Sequence, residues 1–139
     1  MEFITVEQFQ EQPKEVQKVF LDWWKCDYGD LYYYNENLLK YKDFKIIDND
    51  LECEVYGDFD YFKKTGVIPI FTEGQLRKFI EDKTKTKIET SLTVYNQYAL
   101  WLVKVKGQDY ETFDTREEDL LQAYWKVACE IAEQLTIKN

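Results

Sequence analysis

The sequence predicts an α+β fold: a mostly antiparallel β-sheet with N-terminal helices, a middle helix and a long C-terminal helix packed on one face. Three observations carry this expectation. Apolar stripes at helical spacing open, divide and close the chain. Between them lie β-branched and aromatic runs separated by NEN and DND punctuation. Three Thr-x-x-Gln/Glu patterns stand where capped helices would begin. The chain has 139 residues and is 45% apolar, which fits one domain, 1–139, with a substantial core.

Taken in order, Thr5 and Gln8 form a capping box for a short helix through Phe9. Pro13 suits the first turn of a second helix. There Val16, Val19, Phe20 and Trp23 recur at i, i+3, i+4 and i+7, and Trp24 extends the stripe. Tyr28, Gly29 and Asp30 are expected to end it. Trp23 is expected in the core. LYYY, FKII and LECEVY then read as strands. In the last of these Leu51, Cys53 and Val55 share one face.

Thr72 and Gln75 predict the cap of the middle helix, with Leu76, Phe79 and Ile80 as its buried stripe. Lys83, Lys85 and Lys87 gather at its C-terminal end, where positive charge favours the helix dipole. A hairpin follows. Ile88, Thr90, Leu92 and Val94 alternate with Glu89, Ser91, Thr93 and Tyr95, and a turn falls near Asn96 and Gln97. The run YALWLVKV reads as a central strand. Thr115 and Glu118 suggest a third capping box ahead of the last helix. Its apolar positions, from Leu120 to Leu135, fall within an arc of roughly 160° at 100° per residue. Cys129 lies just outside that arc and is expected to be partly exposed.

The composition narrows the chemistry. There is no histidine, the commonest general acid/base, and the formal net charge is −9. Such a charge opposes direct nucleic-acid binding, which needs clustered Lys and Arg. The three cysteines, Cys26, Cys53 and Cys129, show no Cys-x-x-Cys spacing and no histidine to activate them. Free thiols fit a reducing cytosol. No apolar run reaches the ~20 residues of a membrane span. A lone Gly74 after the Thr72 cap makes no phosphate loop. No enzyme, cofactor or metal is expected.

Two features point to binding. Asp48, Asp50, Glu52, Glu54, Asp58 and Asp60 fall within residues 46–62, which hold no Lys or Arg. The EF-hand pattern is absent, because the sixth-position glycine and twelfth-position glutamate are missing. The bland reading is a solvated strand face charged against sheet-to-sheet pairing. The functional reading is a contact patch in which carboxylates meet Lys and Arg while Tyr56 and Tyr61 anchor. Tyr33, alternating with Tyr32 and Tyr34, is expected as a further exposed anchor. The second feature is uneven charge. Residues 67–106 hold 4 acids and 7 bases, a balance of +3, so the remainder carries −12.

The stretches VEQFQEQPKEVQKVFLDWWK, IPIFTEGQLRKFIEDKT and DLLQAYWKVACEIAEQ, in this order, resemble small phage- and prophage-encoded proteins of Gram-positive, clostridia-like bacteria. They cover roughly half of the chain. The group has no known catalytic motif, so no active-site residue carries over. The resemblance implies a protein of the host bacterial cytosol. It also implies a non-enzymatic inhibitor of a bacterial defence protein, with an anti-CRISPR protein against a CRISPR–Cas effector as the first expectation. The inhibitor would occlude a basic nucleic-acid-binding surface. Two alternatives stand beside it: a phage adaptor for replication or host takeover, and a nucleotide-sequestering protein using Arg77, Lys78, Lys83, Lys85 and Lys87. Exposed aromatics leave room for a homodimer.

Overall fold

The structure is a computed structural model and describes residues 2–25, 30–34, 45–46, 67–95, 98–105 and 111–137. Within them lie helices and antiparallel strands, so the α+β class holds. The elements are α1 (Val6–Gln10), α2 (Lys14–Trp23), β1 (Leu31–Tyr34), β2 (Lys45–Ile46), β3 (Val67–Pro69), α3 (Glu73–Thr84), β4 (Ile88–Tyr95), β5 (Tyr98–Val105), β6 (Glu111–Asp114) and α4 (Leu120–Ile137). The strands form two three-stranded sheets, ordered β2-β1-β3 and β4-β5-β6, with every pairing antiparallel. The chain divides into two compact units: Thr5–Phe71, and Met1–Ile4 with Thr72–Asn139.

In the Thr5–Phe71 unit the Thr5 hydroxyl accepts from the Gln8 amide, and the Gln8 side chain accepts from the Thr5 amide. Both bonds satisfy donors that a helix start leaves orphaned. Pro13 sits at the cap of α2, one residue ahead of its first turn. The Gln17 amide reaches back to the carbonyls of Gln10 and Gln12 at 3.3 and 2.8 Å, closing the end of α1. Phe20 is fully buried, with ring centroids 6.3 Å from Phe9 and 5.7 Å from Phe71.

The expected core role of Trp23 passes to its neighbour. Trp23 is half-buried and meets Phe71 edge-on at 5.8 Å, whereas Trp24 is buried. The helix ends at Trp23, ahead of the expected Tyr28–Asp30 stop. Trp24 is extended (ψ 126°), and its indole N–H donates to Asp30 Oδ2 at 2.9 Å. A buried indole needs an acceptor, and leaving the helix is how Trp24 reaches one. LYYY is the central strand of its sheet, and FKII contributes Lys45–Ile46. LECEVY lies outside the described residues.

In the other unit Thr72 and Gln75 form the expected capping box, and Leu76, Phe79 and Ile80 are all fully buried. The helix closes at Lys85 in the left-handed region (φ 59°), whose N–H reaches the Glu81 carbonyl. β4 and β5 pair without a break from Ile88↔Val105 to Tyr95↔Tyr98. β5 is the central strand, as its apolar run implies. Helices α3 and α4 pack on each other, and α4 packs on β5. Ile88, Val103 and Val105 share the buried face of the sheet.

The expected Thr115/Glu118 capping box does not form. Thr115 is buried and donates its hydroxyl to the Trp101 carbonyl. Asp119 caps α4 instead, with Oδ2 accepting from the Gln122 amide at 3.2 Å. Arg116, at φ 59°, turns the chain between the two. Along α4 the buried residues are Leu121, Ala123, Tyr124, Trp125, Val127, Ala128, Ile131 and Ala132; Leu120 and Leu135 are half-buried. No helix among the described residues is long and apolar enough to cross a membrane.

Thr115→Val should lower stability by about 1–3 kcal/mol, because it leaves a buried carbonyl without its donor. Lys85→Gly should raise stability by up to about 1 kcal/mol, by relieving a left-handed side chain. Urea unfolding midpoints measure both.

Candidate functional site

Of the expected contact residues, Asp48, Asp50, Glu52, Glu54, Tyr56, Asp58, Asp60 and Tyr61 lie outside the described residues. So do Cys26 and Cys53. Tyr33 lies in β1, opposite Ile68 of β3, and its neighbour Tyr32 is buried. The described part of the chain offers three other features with chemical potential, all in the unit that holds α3 and α4.

The first is a charged cluster where α3 meets β4. Arg77 Nε donates to Glu81 Oε1 at 2.9 Å, one turn along the helix, and Arg77 Nη2 donates to the Ile88 carbonyl at 3.3 Å. Lys87 Nζ lies 3.1 Å from Glu81 Oε2 as an ion-pair contact. Burial pushes the Glu81 carboxyl up, but the Arg77 hydrogen bond and the Lys87 ammonium outweigh it and hold the group below its ordinary value. Glu81 and the Tyr124 phenol raise the Arg77 guanidinium in turn. The cluster joins helix to sheet. It also removes Arg77 and Lys87 from the set of bases that a phosphate could use.

The second is a cavity of about 230 Å³ lined by Lys83, Thr84, Val105, Phe113, Ile131, Gln134 and Leu135. Val105, Phe113, Ile131 and Leu135 are its apolar lining residues, and one ammonium, one hydroxyl and one amide stand among the others. The Thr84 hydroxyl is already committed to the Ile80 carbonyl at 2.7 Å. The volume is below the ~300 Å³ at which small-molecule sites usually begin. It suits a single inserted side chain better than a nucleotide. The sequence signalled Lys83 through its place at a basic helix end. Phe113, Gln134 and Thr84 carried no signal, because three separate elements bring them together.

The third is the outer half of the β4–β5 hairpin. Leu92 and Val94 are 54% and 77% exposed, with a half-buried Trp101 directly across from Leu92. Alternation put Leu92 and Val94 on one face with Ile88, but only the Ile88 end of that face is buried.

Cys129 is half-buried, as expected. Burial, with Glu130 and Glu133 adding to it, pushes the thiol far above its ordinary value, so it stays protonated and weakly nucleophilic. Among the described residues no group of three or more His, Cys, Asp or Glu side chains could hold a metal ion.

Glu81→Gln should destabilise the protein at neutral pH by about 1–3 kcal/mol, through loss of charge-assisted hydrogen bonding. The folded carboxyl titrates below its unfolded value. Its contribution is therefore complete above the ordinary carboxylate value and is lost as pH falls through the folded one. The gap between parent and variant should close in acid, as denaturation midpoints across the pH range would show. Compared with models of protein families, with curated proteins and with solved structures, the chain matches none.

Proposed function

We propose that this chain is a non-enzymatic binding protein that inhibits a bacterial defence protein, with a CRISPR–Cas effector as the first target to test. One observation carries the reading: six carboxylates between Asp48 and Asp60, interleaved with Tyr56, Phe59 and Tyr61, in a stretch without any Lys or Arg. Carboxylates in such density answer a basic groove that otherwise holds a nucleic-acid backbone. Aromatic residues supply the anchoring area. The absence of histidine from the sequence and the protonated Cys129 thiol both favour binding over nucleophilic chemistry. The resemblance of three stretches to phage and prophage proteins supplies the defence context.

The nucleotide-sequestering alternative has less support. Arg77 and Lys87 are engaged with Glu81, and the cavity beside Lys83 is small. The adaptor alternative shares the same surface and differs only in its partner.

The test is capture from a clostridial lysate on the tagged protein, with washes of rising salt, followed by the same capture with Asp50, Glu52, Glu54 and Asp58 all changed to Lys. The parent should retain a nucleic-acid-binding defence protein and release it as the screening length shortens. The charge-reversed variant should unfold like the parent and retain nothing. Retention of the same partner by that variant would overturn the acidic-surface mechanism. Retention of replication proteins by the parent would replace the defence target with the adaptor role.

A further inference from the structure

We infer that β4 is the strand on which a second copy of this chain adds, antiparallel and about a two-fold axis through Leu92. The inference begins with Trp101. Its N–H donates to the Glu117 carbonyl at 2.9 Å, and its carbonyl accepts from the Thr115 hydroxyl. Its peptide groups therefore face away from β4. In an antiparallel ladder, facing residues alternate between pairs that exchange hydrogen bonds and pairs that do not. Leu92↔Trp101 is thus a non-bonded pair, and so are Thr90↔Val103 and Val94↔Ala99, two residues to either side. The N–H and C=O groups of Thr90, Leu92 and Val94 consequently point outward from the sheet.

One further observation supports this orientation: the Ile88 carbonyl, next in the outward series, is met by the Arg77 guanidinium rather than by β5. β4 ends the strand order β4-β5-β6, and among the described residues nothing meets the outward groups of Thr90, Leu92 and Val94.

Edge strands are ordinarily protected by Lys, Pro or a bulge. From Thr90 to Tyr95 β4 has no charge and no proline, and its register with β5 is unbroken. It carries exposed Leu92 and Val94 instead. The strand is also complementary to itself. Centred on Leu92, antiparallel pairing sets Leu92 against Leu92, Thr90 against Val94, and Ser91 against Thr93 of the second copy. Glu89 then faces Tyr95, so no two carboxylates meet. Each of the three facing pairs built from Thr90, Leu92 and Val94 exchanges two backbone bonds. The contact is isologous, as two-fold dimers require.

One strand pair buries well under the ~1,200 Å² of a standard interface, so association is reversible and concentration-dependent. Each copy carries −9, and their repulsion opposes pairing until salt screens it. Dimerisation therefore strengthens with salt, whereas capture of a basic partner weakens. Failure of one reading is thereby distinguishable from failure of the other.

The experiment is sedimentation of the full chain over a concentration series at low and high salt, with amide hydrogen exchange read residue by residue. The mass should rise from 16.9 kDa towards twice that value as concentration and salt increase. The amides of Thr90, Leu92 and Val94 should slow with concentration, while those of Ser91 and Thr93, already bonded to β5, should not change. Replacing both Leu92 and Val94 with Lys should abolish the dimer and preserve the circular dichroism spectrum. Leu92→Pro, which removes only an outward N–H, should abolish it as well. A monomer under all conditions would overturn the inference. So would a dimer in which those three amides stay fast, or protection of the edge only on adding a different protein's strand.

Discussion

A peptide group inside a fold needs a partner, and the architecture around α4 is organised by how Trp101 meets that need. Its two backbone groups are met by Thr115 and Glu117, residues that have left the regular line of β6. Several features follow. The Thr115 hydroxyl is committed to the sheet, so Asp119 caps α4. Arg116 must take a left-handed turn to carry the chain from one task to the next. Lys126, more than a turn into α4, reaches back to the Thr115 carbonyl at 2.8 Å, so helix and sheet share one residue as their junction. The direction in which Trp101 points also fixes the backbone phase of its neighbour strand.

What was legible in the sequence was what is local. The capping boxes at Thr5 and Thr72 close over three residues, and the stripe of Leu76, Phe79 and Ile80 repeats within one turn. The same kind of pattern at Thr115 misled, because its hydroxyl bonds a carbonyl fourteen residues away. Periodicity placed both Trp23 and Trp24 on the stripe because it does not reveal where a helix stops; Trp24 leaves the helix and donates to Asp30. Alternation along β4 assigned faces correctly but gave no sign that cover runs out after Ile88. The acidic run was legible as composition alone, and its residues lie outside those described here.

Charge in this chain is less segregated in effect than in count. Residues 67–106 carry a balance of +3, but two of their seven bases are spent on Glu81. That pairing ties α3 to the start of the hairpin, where Arg77 also covers the Ile88 carbonyl.

The brevity of β6 has a consequence for how far the sheet can extend. It spans four residues, opens on Glu111 and closes on Asp114, and Arg116 bends the chain away directly after it. A short strand with acid at both ends is a poor template for another backbone, whereas β4 is long and even. Among the described residues the sheet therefore has one receptive border and one blunt one. Growth that starts at the receptive border ends at the blunt ones, so an assembly built this way is discrete and does not propagate into a fibre.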